Sequence, residues 1–194
     1  KEPSTDAVTL WHQDAAYFGL RPHEHVTAWV ALSTASEVSG CLTFISQQGT
    51  PRLLHHKVNA DAKSINGAGQ TIVEAFDQSA GVRATLKAGE FSLHHTLCTH
   101  SSPPNASPDR RIGLGISYIP ARVQHIGTIR MRAMLVRGDD RFGHFEHEPA
   151  PAEDVLENQR QHDLSTERYM AGYAEQMIWH EEGRLREAAA APNT

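Results

Sequence analysis

The chain has 194 residues, 39% hydrophobic and 21% charged, with 18 Lys and Arg against 23 Asp and Glu for a formal net charge of −5. That composition supports a packed domain and excludes disordered, collagen-like and coiled-coil classes. A mildly acidic balance gives no reason to expect nucleic acid or an anionic membrane as partner, so a small-molecule substrate is the default.

The first three-quarters of the chain reads as short strands between turns. Residues 8–14 alternate, 26–32 are β-branched and aromatic, and 41–45 follow the Ser39-Gly40 turn. The Gly67-Ala-Gly69 turn precedes a strand over 70–76, and further strands fall at 82–86, 90–97 and 112–119. With no βαβ rhythm, this spacing indicates a sandwich or barrel. After Pro120 an Arg- and Gly-rich loop over 130–141 leads to the acidic segment 143–149. Pro151-Ala-Glu-Asp then opens a helix, and Ser165 opens a second. In that second helix Tyr169, Met170, Tyr173, Met177 and Ile178 make an apolar stripe suited to packing on the sheet or on a second subunit. The tail from Ala188 is expected to fray. Cys41 and Cys98 are too few for a disulfide framework and read as two buried thiols of a reduced, cytoplasmic protein. The apolar stretches are far short of the roughly 20 residues that cross a bilayer, so no membrane segment is expected.

Chemistry concentrates first at His12-Gln-Asp14, because residues i and i+2 of a strand share a face and would aim an imidazole and a carboxylate at one spot. Alone, that triplet is a weak signal. A second cluster runs from Thr99-His100 to Arg110-Arg111 on a distant strand, and it offers a third ligand. Two imidazoles and one carboxylate on one face of an octahedron leave three positions open, which suits non-haem Fe(II). Structural zinc would want four closed ligands.

The blocks 11–17, 26–32, 89–95 and 100–111, in that order, resemble the phytanoyl-CoA hydroxylase family of Fe(II)/2-oxoglutarate dioxygenases, and the resemblance runs from about Leu10 to Pro120. It implies a mainly β fold, a double-stranded β-helix of the jelly-roll, cupin-like kind, with C-terminal helices packed outside. It also implies Fe(II) held by His12, Asp14 and His100, with 2-oxoglutarate as cosubstrate and O2 as oxidant. Family members hold the far carboxylate of 2-oxoglutarate with an arginine at the position of Arg111, and place a hydroxyl contact at Ser102. Arg111 would share a strand face with Gly113, Gly115 and Ser117, whose small side chains leave room for a ligand, and its guanidinium suits a carboxylate. Trp29 and Thr27 are expected to wall the same pocket. Because Asp14 is present where halogenating relatives have a small residue, the resemblance implies hydroxylation.

The family's Pro-Gly-Ser-His turn is replaced by Ser46-Gln-Gln-Gly49, which alters one wall of the substrate pocket. Only 11 residues precede His12, where the family carries several dozen, so the expectation is a core over 1–150 lacking its N-terminal part, with 151–194 a helical extension of the same domain. His23, His25, His55, His56, His144 and His147 read as loop histidines, and His94 reads first as an ordinary strand histidine, its parity with His100 making a cavity-lining position the alternative reading. The basic run Arg130, Arg132, Arg137, Arg141 reads as a solvated loop, with an anionic substrate as the alternative reading; monomer and dimer stay open. Two other classes compete: a non-catalytic cupin-like binding domain, and a zinc-dependent hydrolase using the same three ligands.

Overall fold

A computed structural model describes residues 1–46, 49–59, 63–66 and 69–181. The centre of the altered turn, Gln47 and Gln48, lies outside the described residues, as do Gly67, Ala68 and the tail from 182 onward. The chain divides into two compact units, Lys1–Ala16 with His25–Tyr118 and Tyr17–Glu24 with Ile119–Thr194.

Seven strands of the first unit make its two larger sheets: β1 (Thr9–His12), β2 (Val26–Ala31), β3 (Leu42–Ile45), β4 (Val82–Ala84), β5 (Phe91–His95), β6 (Thr99–Ser102) and β7 (Gly113–Tyr118). They form an antiparallel four-stranded sheet in the order β1-β6-β3-β4 and a three-stranded sheet in the order β7-β2-β5. The pairs nest: β3 with β4, β2 with β5 outside it, and β1 with β6 outside that. This is the jelly-roll arrangement of a double-stranded β-helix. The sheets meet where Phe44 of one packs on His94 of the other, with ring centroids 5.1 Å apart.

Alternation sets what faces the interior. In β2, Thr27 lies opposite His94 and Trp29 opposite Ser92 and Gly115, all on the inner face. Val30, Phe91, Leu93 and Leu114 take the outer one, where the last three are exposed. The interior is unusually polar: His12, Asp14, His94, His100, Ser102 and Arg111 are all buried, alongside a small apolar set that includes Ala31, Ala35, Cys41 and Leu42. An interior of this kind is a chemical site rather than a packed hydrophobic core.

Several elements are shorter than the sequence pattern indicates. The strand expected over 70–76 is reduced to Thr71–Ile72, paired with His56–Lys57. It stops where the Glu74 carboxylate turns aside to accept from His55 N at 2.8 Å. Cys41 is buried but Cys98 only half-buried, and both are free.

The second unit carries one continuous helix, α1 (Val155–Glu181), in place of the two expected. Asp154 caps its start, accepting from Leu156 N at 2.8 Å. Ser165 does not begin a new helix, because its hydroxyl bonds back to Gln161 O at 3.0 Å within the turn and receives Arg132 Nη1 at 3.0 Å. The apolar stripe is only partly covered: Tyr169 contacts Phe18 at 6.3 Å, but Met170 and Ile178 stay exposed, and the buried positions are Gly172 and Gln176. No helix among the described residues is long and apolar enough to cross a membrane.

Gly113 shows how tightly the inner face is filled. A Cβ there would stand 2.0 Å from Trp29 Cζ2, whereas at Gly115 it would meet nothing within 4 Å. The space beside Gly113 is therefore taken by the Trp29 indole and not left for a ligand. Gly113→Ala should destabilise the chain by about 1–3 kcal/mol through overpacking while Gly115→Ala stays much closer to wild type, as read from denaturant unfolding midpoints.

Candidate metal centre

His12 ends β1, and antiparallel pairing with β6 sets His100 directly opposite it, ring centroids 4.1 Å apart. Asp14 does not continue the strand. The chain leaves β1 after His12 and enters a helical turn, Ala15–Phe18, pinned by Ala15 N donating to Thr96 O at 3.0 Å. Strand alternation is thus not what brings His12 and Asp14 together; the turn swings the carboxylate back under the imidazole. Between them Gln13, fully buried, fixes that exit: its side-chain amide donates to Leu97 O and Arg52 O and accepts from Leu54 N.

One nitrogen or oxygen from each of His12, Asp14 and His100 lies within 4.8 Å of the other two, all three residues buried. His12 Nε2 is 3.4 Å and His100 Nε2 3.6 Å from the same atom, Asp14 Oδ1. The far nitrogens are committed: His12 Nδ1 donates to Leu10 O at 2.7 Å and His100 Nδ1 to Cys98 O at 3.0 Å. A carbonyl oxygen only accepts, so in the neutral rings the proton sits on Nδ1 and each Nε2 presents a bare lone pair. Three electron-pair donors then converge with no proton between them, and a cation is what that arrangement fits. His100 stays neutral because burial first, and the repulsion that a protonated His12 would exert second, push its pKa to about 3. Burial opposes ionisation of Asp14, but His12, His94 and His100 outweigh it whenever these rings carry a proton toward the carboxylate, and they hold it well below its ordinary range. Zn, Fe(II) and related divalent ions accept two imidazoles and a carboxylate, and the open facial set is the one associated with Fe(II) oxygenases.

Arg111 lies just before β7, not within it, and is 6% exposed. Its Nη1 donates to Gly40 O at 2.6 Å, and its guanidinium lies 5.3 Å from the centre of the Trp29 ring. Gly40 is required there: its φ is +73°, and a Cβ would come within 2.4 Å of Pro103 O. Among the described residues no carboxylate reaches Arg111, and its Nε has no hydrogen-bond partner. Ser102 Oγ, in a residue 1% exposed, has none either. Lys1 links the two positions, its α-amino group donating to Arg111 O and its Nζ to Ser102 O. A buried cation and a buried hydroxyl, both unsatisfied, are what an incoming carboxylate would complete.

Thr27 turns to the carboxylate of the ligand cluster. Its hydroxyl donates to Asp14 Oδ2 at 2.9 Å, at the metal end of the interior. His94 lies there too, Nε2 3.5 Å from Asp14 Oδ2 and ring 4.6 Å from His100, so it joins the cluster around the carboxylate. His25 is a correction to the loop reading: it is fully buried, with Nε2 3.3 Å from Thr27 Oγ1. His56 is likewise buried, accepting from Gln13 N at 3.0 Å. Both follow the parity of adjoining strand residues, which was the available signal. Asn105 gave none, although it organises the loop before Arg111 by bonding Asp109 O, Ser107 N and Ser107 Oγ. Of the basic run, Arg132 is engaged by Gln161 and Glu146 and Arg130 by the carbonyls of Gly143 and Phe145.

Comparison with known proteins agrees with this geometry. The family model for Phytanoyl-CoA dioxygenase (PhyH) matches residues 1–113. A Stutzerimonas stutzeri protein named "Probable alpha-ketoglutarate-dependent hypophosphite dioxygenase" is 27% identical over 121 residues, covering 62% of this chain and 42% of its own. The solved structure of the non-heme monooxygenase ThoJ superposes with a TM-score of 0.79 at 26% identity, over 92% of this chain and 65% of that one. EvdO2 from Micromonospora carbonacea var. aurantiaca, solved in complex with 2-oxoglutarate, gives a TM-score of 0.52 at 27% identity over 60% of this chain and 47% of its own. The chain therefore spans under half the length of the curated relative and about two-thirds of ThoJ.

The state of His100 has a measurable sign. Its pKa of about 3 in the fold lies below the ordinary 6.5, so between those values the unfolded chain binds a proton that the native chain refuses. Stability should fall as pH drops through about 6.5 and keep falling toward about 3. Urea midpoints should be lower at pH 5 than at pH 7.5, and His100→Gln should reduce that difference.

Proposed function

Because the chain belongs to the phytanoyl-CoA dioxygenase family, we propose that it is the metal-bearing core of an Fe(II)- and 2-oxoglutarate-dependent dioxygenase that hydroxylates a small-molecule substrate and releases succinate and CO2. Bound Fe(II) would supply activation of O2 at the expense of oxidative decarboxylation of 2-oxoglutarate. His12, Asp14 and His100 would hold that ion, two through Nε2 and one through Oδ1.

The observation that carries this reading beyond metal binding is Arg111. A buried guanidinium with Nε unsatisfied and no carboxylate partner among the described residues has a vacancy for an anion. A keto acid with a second carboxylate provides it, and a planar fork meets that group with two parallel bonds. Ser102 Oγ adds a donor, and the Trp29 ring beneath the guanidinium limits how far it can swing. A hydrolytic zinc site has no need of such a group, and a family of oxygenases does.

The residues around the donors exclude water and orient groups; no side chain is required to act as a general base. Substrate choice rests with the loops, and the Stutzerimonas relative's name points to a small phosphorus oxyanion in that protein's case. For this chain a small, oxidisable molecule, anionic in the first instance, is the class to screen.

Anaerobic addition of Fe(II) and then 2-oxoglutarate should develop a visible charge-transfer band. His100→Ala should abolish metal binding. Arg111→Leu should keep the metal but weaken 2-oxoglutarate by about 30-fold or more, the scale of truncating one partner of a buried charge pair. Wild-type 2-oxoglutarate affinity in the Arg111 variant would overturn the assignment of that residue.

A further inference from the structure

The two oxygens of Asp14 have different surroundings. Oδ1 faces the Nε2 atoms of His12 and His100, at 3.4 and 3.6 Å. Oδ2 receives the Thr27 hydroxyl at 2.9 Å and has His94 Nε2 at 3.5 Å. Thr27 and His94 are register partners, directly opposite one another on β2 and β5, so a single cross-strand pair reaches the same oxygen. His94 Nδ1 is buried without a hydrogen-bond partner, which leaves Nε2 as the nitrogen whose proton has an acceptor to meet. Behind Thr27, His25 Nε2 lies 3.3 Å from the hydroxyl oxygen, and an imidazole N–H donated there polarises the hydroxyl toward the carboxylate.

We propose that Thr27 and His94 are positioning residues that restrict Asp14 to one-oxygen ligation, with His25 supporting Thr27. The inference rests on the metal reading above and adds a function to residues outside the ligand set. Its consequence is a coordination count. An octahedral ion with two imidazoles and one carboxylate oxygen keeps three positions for cosubstrate and dioxygen, whereas a carboxylate turned to bind through both oxygens would leave two. Occupying Oδ2 with two donors makes that turn unfavourable, and the sheet register ensures that both donors are delivered together.

The test uses Co(II) as a spectroscopic stand-in, titrated into the full chain and into Thr27→Val, Thr27→Ser and His94→Gln. Thr27→Val keeps the side-chain shape and removes the donor. It should weaken Co(II) binding by about 10- to 100-fold and alter the intensity of the visible ligand-field bands, as a changed coordination number requires. Thr27→Ser should restore both, and His94→Gln should fall between. A purely structural role for the pair would lower the melting temperature while leaving affinity and bands as in wild type, and that result overturns the proposal. Should Thr27→Val fail to fold, His94→Gln supplies the same comparison. If wild type itself takes up no Co(II), the metal reading fails and this inference with it; if wild type binds and neither variant differs, only this inference fails.

Discussion

A carboxylate only 4% exposed is tolerated in a protein interior when its neighbours answer its charge, and the first unit is organised around answering Asp14. Three imidazoles and a hydroxyl surround it, drawn from β1, β2, β5 and β6 of both sheets. Each of those residues owes its position to the register of a strand, so the fold and the site share one set of constraints. Had the interior been filled with aliphatic side chains, the same seven strands would make a stable sandwich with nothing to do.

Arg111 is the counterpart of opposite sign. It too is buried, yet here the described residues supply its guanidinium with a backbone carbonyl and the face of an indole. Asp14 is surrounded by groups that orient it and Arg111 by groups that leave it incomplete. On the function proposed above, that contrast separates a residue that holds a resident cation from one that receives a transient anion. The glycines are the means: Gly40 lets its carbonyl approach the guanidinium, and Gly113 lets Trp29 lie where a side chain would otherwise stand.

The cluster of His12, Asp14 and His100 was legible in the sequence because these residue types sit at distinctive separations, and the same stretch singles out Arg111, which the fold buries. The reason offered for His12 and Asp14 was wrong in detail, since a helical turn and not strand alternation closes the pair. Alternation within β2 and β5 did show which residues face inward, and it could have identified Thr27 and His94 as partners once the register was known. Register is a property of pairing between distant segments, and no single strand reveals it. His25 shares parity with Thr27 and Trp29, but the loop around Pro22 does not show that this alternation reaches back beyond the strand, so the signal was easy to miss. In the second unit, the helix ran through Ser165 because a serine hydroxyl can bond either to start a helix or to its own preceding turn, and local sequence does not decide between them. The exposed Met170 and Ile178 show that a periodic stripe describes a face without stating how much of it will be covered.

The nested strand pairs favour assembly of the first unit from the inside outward. The register contacts Phe44 with Val82, Thr27 with His94 and His12 with His100 enclose one another, so each inner pair shortens the loop that the next must close. His12 and His100 belong to the outermost pair, whose loop is closed at least cost once the inner pairs are in place. An ion that binds only the finished pair stabilises the native state and not the transition state leading to it. Loading the centre would therefore prolong the life of the folded chain without hastening its formation.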